Sequence, residues 1–105
     1  MASMVDDNLK DYILGEMAEA GLDWIWLGGN IFEEKTTWKW ADCTPWNVTF
    51  WAPGEPTLGG EECLTLVLNF PGYTHLNERW NDKSCDFERS FLCNKKICNN
   101  NGSFF

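Results

Sequence analysis

Oxygen-donor side chains gather in two short stretches of this sequence: Glu55, Thr57, Glu61 and Glu62, then Asn81 and Asp82. Glycines and prolines separate the first group, so the chain there turns rather than running as one helix or strand. Hard cations such as Ca²⁺ take about six to eight oxygen ligands, from carboxylates, amide oxygens and hydroxyls that converge from flexible loops. These residue types suit that chemistry, although their order is not that of an EF-hand loop. On composition alone, a solvated turn at Glu61 and Glu62 and a plain strand end at Asn81 and Asp82 would read the same way. The residue types leave both readings open.

Enzyme signatures are absent: there is no GxSxG, no phosphate-binding GxxxxGK[ST], no HExxH and no GxGxxG. The single histidine, His75, has no evident nucleophile to serve and reads as a solvated loop residue. No carboxylate pair is marked out for glycoside hydrolysis, so the expectation is a binding protein and not an enzyme. Sixteen acidic against eight basic residues give a formal charge of −8. That is the wrong sign for nucleic acid or for an anionic membrane surface. No apolar run reaches the roughly 20 residues of a membrane span, so no membrane insertion is expected. A chain of 105 residues with 44% hydrophobic and 15% aromatic content predicts one globular domain over residues 1–105.

Five cysteines in so small a chain fit a disulfide-bonded extracellular protein, secreted or part of a cell-surface ectodomain. Only Cys93 and Cys98 come near zinc-ligand spacing, and the sole histidine, His75, is remote from them. Two N-x-S/T sequons, at Asn47 and Asn101, agree with a secretory route, Asn47 being the better placed for glycosylation. The opening residues have no basic and apolar leader regions, so no signal peptide is read in this chain; one was removed, or the chain is a fragment.

These groups need a frame to position them. Apolar residues Leu9, Tyr12, Ile13, Met17 and Ala20 recur at helical spacing from Asn8 to Ala20, with Lys10, Glu16 and Glu19 outside and Gly21 as the stop. Strands are predicted at Leu22–Gly29, Thr36–Trp40, Cys63–Leu68, Glu78–Trp80 and Ser90–Asn94, in a mostly antiparallel sheet. Between them, Ala41–Glu62 is a long loop whose Trp46, Phe50 and Trp51 argue for order. Trp24, Trp26, Trp38, Trp40 and Trp80 are assigned to the core. Residues 95–105 read as a tail.

Taken in order, Trp24-Ile25-Trp26-Leu27-Gly28, Trp38-Lys39-Trp40, Asp42-Cys43-Thr44-Pro45, Trp51-Ala52-Pro53-Gly54-Glu55-Pro56-Thr57, Glu61-Glu62-Cys63, Trp80-Asn81-Asp82, Cys85 and Phe91-Leu92-Cys93 resemble the C-type lectin-like domain. The match covers about residues 8–94. The resemblance implies an α+β fold with a long calcium-binding loop, one retained helix and a domain incomplete at its N-terminus. It implies a disulfide between Cys63 and Cys85, a loop closure of about 3 kcal/mol in the entropic account. It also implies that Glu55, Thr57, Glu61, Asn81 and Asp82 hold Ca²⁺ and the hydroxyls of a bound sugar, with Glu62 at an auxiliary position. The implied partners are glycans or glycoproteins of mannose or fucose type, with avidity supplied by an oligomer or a tandem-domain parent. A calcium-independent protein-recognition module and a fragment without function are the alternatives.

Three departures stand out. Thr57 replaces the family's asparagine and lacks the amide's separate acceptor and donors. Cys43 stands where the family has glycine. The family's first strand and helix are missing, so Cys93 lacks its usual partner, and Cys43 could pair with Cys93 or Cys98, link chains or stay free.

Overall fold

A computed structural model describes residues 3–34, 36–86, 89, 91–93 and 96–98, the last two segments as backbone. Helix α1 spans Asp7–Ala20. Asp6 caps its start by accepting the Leu9 amide at 2.7 Å, and Gly21 ends it in the left-handed region at φ 70°. Its buried stripe is Lys10, Ile13, Leu14 and Met17. This corrects the expected face, because Lys10 is buried while Tyr12 is 54% exposed. The lysine stem packs inward and its ammonium lies 4.7 Å above the Phe50 ring, which reconciles the charge with burial.

Among the described residues six strands follow: β1 (Trp24–Asn30), β2 (Lys39–Trp40), β3 (Cys63–Val67), β4 (Trp80–Lys83), β5 (Phe91–Cys93) and β6 (Lys96–Cys98). They form one sheet in the order β4-β3-β1-β5-β6, with β2 also paired to β1. All pairings are antiparallel except β1 with β5. Most strand ends differ from expectation by one to three residues, β2 for instance being only Lys39–Trp40 where Thr36–Trp40 was expected. The fourth strand runs on through Asn81, Asp82 and Lys83 because all three pair with β3, and β6 occupies part of the stretch read as a tail. Residues 99–105 with the Asn101 sequon, and the partners of Cys93 and Cys98, lie outside what is described.

Side chains alternate across each strand. On one face Ile25, Leu27, Leu64, Leu66 and Trp80 meet Ile13, Leu14 and Met17 of α1 in the main core. On the other, Trp24, Val67, Leu76 and Ala52 form a second cluster. The ladder between β1 and β3 shifts register between Trp26 and Asn30. Gly29 lies in that shift, where an added Cβ would come 2.7 Å from Leu64 Cδ2 and 3.1 Å from Leu64 Cβ and the Trp46 ring, so a larger residue would push on the packing there.

The tryptophans assigned to the core are all buried there. Trp46 and Trp51 of the long loop join them, pinning it to the sheet. Trp80 has ring contacts with Trp40, Trp46, Phe50 and Trp51 at 5.3–5.6 Å. The Trp80 amide donates to Phe50 O at 2.7 Å, and the Ala52 amide donates to Trp80 O at 2.9 Å. The Cys63–Cys85 disulfide is formed. Cys43 is a free, exposed thiol at φ 67°, a backbone that glycine adopts without strain.

Candidate functional site

The pairing of Phe50–Ala52 beside β4 brings the following turn over the end of that strand. Gly54 turns the chain at φ 83°, the Glu55–Pro56 peptide is cis, and the Glu55 amide donates to Ala52 O at 3.0 Å. Leu58, Gly59 and Gly60 then take three consecutive left-handed conformations, at φ 61°, 66° and 95°. The two glycines adopt these readily, whereas the leucine costs about 1–2 kcal/mol and needs contacts to hold it. Those contacts exist: its side chain packs against the main core, and its amide donates to Asp82 Oδ2 at 2.6 Å.

Asp82 is fully buried on β4. Its Oδ1 accepts the Thr57 amide at 3.0 Å, so its two carboxylate oxygens serve two successive backbone amides of the turn. The Thr57 hydroxyl lies 2.5 Å from Glu61 Oε1 and 3.2 Å from Asp82 Oδ1, one proton between two carboxylates. Glu55 stands beside them. Its Oε1 is buried without a hydrogen-bond partner. Burial, then a hydrogen bond and repulsion from Asp82, then repulsion from Glu61, push its carboxyl up to about 7, against a smaller opposing contribution from the Thr57 amide.

The structure therefore brings together Glu55, Thr57, Glu61 and Asp82. Asn81 is buried on the same strand, where alternation places its side chain on the opposite face from Asp82, and its backbone carbonyl accepts the Thr65 hydroxyl at 2.6 Å. Glu62 lies at the foot of β3, its carbonyl taking the Ile31 amide. One contributor escaped the sequence reading: the Leu58 amide, which could have been suspected from Gly59-Gly60, the mark of a left-handed turn.

A hard divalent cation fits the chemistry of this donor set: three carboxylates and a hydroxyl, one carboxylate oxygen buried and unpartnered, and mutual repulsion that a cation would relieve. The donors are gathered but not spread around a common centre. Among the described residues no three His, Cys, Asp or Glu side chains form a ready metal cluster, and Asp82 directs both oxygens at backbone amides instead.

The raised Glu55 carboxyl predicts a pH dependence in chelator. Because the folded state holds the proton more tightly than the unfolded chain, this contribution is fully present below about pH 4.5 and is lost as pH rises through about 7. Denaturant melts in EDTA should show wild type losing stability relative to Glu55→Gln across that window. Parallel curves for the two proteins would contradict the assignment.

Among proteins of known sequence, the chain is 33% identical over 89 residues to C-type lectin domain family 6 member A of Rattus norvegicus, covering 83% of this chain and 40% of that one. It thus spans less than half the length of that relative. Among solved structures, it superposes on the mouse scavenger receptor C-type lectin carbohydrate-recognition domain with a TM-score of 0.66 and 25% identity, covering 83% and 61% of the two chains. It also superposes on the Ca²⁺-independent C-type lectin SPL-2 from Saxidomus purpuratus, with a TM-score of 0.58 and 25% identity over 76% and 55%. Residues 3–95 match the family described as the lectin C-type domain, and with the α+β fold and the loop geometry above, the chain belongs to that family.

Proposed function

We propose that this domain binds carbohydrate through Ca²⁺ held at the long loop, with sugars of mannose or fucose type as ligands. The observation that carries the reading is the convergence of Glu55, Glu61 and Asp82 on Thr57, with a buried Glu55 oxygen left without a partner. Glu55, Thr57, Glu61, Asn81 and Asp82 would hold the ion. Bound calcium would accept a vicinal pair of sugar hydroxyls into its oxygen shell. Around it, the ionised carboxylates accept hydrogen bonds from the sugar hydroxyls, and the Asn81 amide can donate one. Asp82 fixes the turn through the Thr57 and Leu58 amides. The ring contacts and backbone bonds of Phe50, Trp51 and Ala52 with Trp80 anchor the segment just before Glu55 to β4. Glu55 keeps the acidic end of the mannose-type pattern, which favours that sugar class.

A second reading has its own support. The bonds of Thr57 and Asp82 close the loop without metal, and a structural relative is named as a Ca²⁺-independent lectin. Retention on mannose- and fucose-agarose in millimolar CaCl₂, against EDTA, separates the two. The expected result is calcium-dependent retention by wild type and at least a tenfold loss in Glu55→Gln. Retention that survives EDTA, or Glu55→Gln that behaves as wild type, would overturn the calcium reading. Placement outside the cell, glycosylation at the exposed Asn47, and avidity from several copies belong to the same proposal.

A further inference from the structure

We propose that Thr57 is a positioning residue that latches the long loop shut in the absence of a cation. Three observations carry this. The Thr57 hydroxyl spans Glu61 Oε1 and Asp82 Oδ1, so one neutral donor stands between two carboxylates that would otherwise repel. The amides of Thr57 and Leu58 both donate to Asp82, which commits that carboxylate to the loop backbone. Leu58 holds a left-handed backbone, and these bonds oppose its relaxation. The hydroxyl is the only one of these donors that a side-chain substitution at position 57 removes.

The latch uses the oxygens assigned above to the cation. Its functional meaning therefore rests on that reading: a cation reaching Glu61 and Asp82 has to displace the hydroxyl proton, after which the Thr57 oxygen is free to face the ion. The physical contacts of the latch stand without any ion. Loop order in this chain accordingly does not depend on the cation alone, and the cation adds less order than it would to a loop held open by carboxylate repulsion.

Amide hydrogen exchange of the Glu55–Glu62 segment in EDTA tests it, on wild type, Thr57→Val and Thr57→Ser. Thr57→Val keeps the shape and removes the donor, while Thr57→Ser keeps the donor. Exchange in the segment should be at least tenfold faster in Thr57→Val and near wild type in Thr57→Ser, with β3 amides unchanged in both. Equal exchange in wild type and Thr57→Val would overturn the latch, as would a Thr57→Ser variant that exchanges like Thr57→Val. Should Thr57→Val fail to fold, Thr57→Ala in the same comparison decides between these outcomes. Adding CaCl₂ to wild type is a separate arm read by melting: an unchanged midpoint there, with the Thr57→Val effect on exchange intact, removes the calcium reading and leaves the latch standing.

Discussion

Replacing Asp82 with alanine should destabilise the protein by about 2–3 kcal/mol in EDTA, before any cation is considered, because two turn amides and a hydroxyl lose their acceptor. The sign is the informative part. If Asp82 acted only as a metal ligand, removing one carboxylate from a crowded acidic group would leave the metal-free protein unchanged or more stable. Its burial argues the other way: a fully buried carboxylate with two backbone donors is part of the fold. Asp82→Asn sharpens the test. An amide oxygen can accept from one of the two backbone donors, so about half the loss should return, and the loss of negative charge should lower the Glu55 carboxyl toward its ordinary range. Urea melts of the three proteins in EDTA measure this, and an Asp82→Ala midpoint at or above that of wild type would refute it. Sugar retention in CaCl₂ should vanish in Asp82→Ala, through the ligand and through the turn together.

How much of this was legible in sequence depends on which interaction fixes each residue. Strands such as Trp24–Asn30 and Cys63–Val67 were visible because aromatic and β-branched runs bounded by glycine have few other outcomes. The Cys63–Cys85 bridge was available only through family resemblance, since five cysteines alone permit many pairings. Lys10 was misplaced because helical periodicity counts a lysine as polar, whereas its stem is apolar and Phe50 lies 40 residues away in sequence. Glu55, Thr57, Glu61 and Asp82 were legible as a group of donors. Their mutual arrangement was hidden, because it depends on which oxygen of Asp82 meets which amide. No pattern of residue types reports the Thr57 hydroxyl bond to Glu61.

The largest loss of stability should come from Trp80→Ala, about 3–5 kcal/mol, a substantial share of the roughly 5–15 kcal/mol that holds a small domain together. Trp80 is fully buried, and its ring meets both strand tryptophan Trp40 and the loop residues Trp46, Phe50 and Trp51. Removing it opens a cavity between sheet and loop that rigid indoles cannot close by small shifts. The effect should reach the site, because Phe50–Ala52 beside β4 is what carries Glu55 toward Asp82. Trp80→Phe separates packing from geometry. It keeps an aromatic ring in the cavity and leaves the backbone bonds at Phe50 and Ala52 in place, so it should cost about a third to half as much and retain the site. Urea titration followed by tryptophan fluorescence and by far-UV circular dichroism gives both values. A Trp80→Ala loss below about 1.5 kcal/mol would mean that the loop is held by its backbone bonds and by Leu58 rather than by the aromatic cluster.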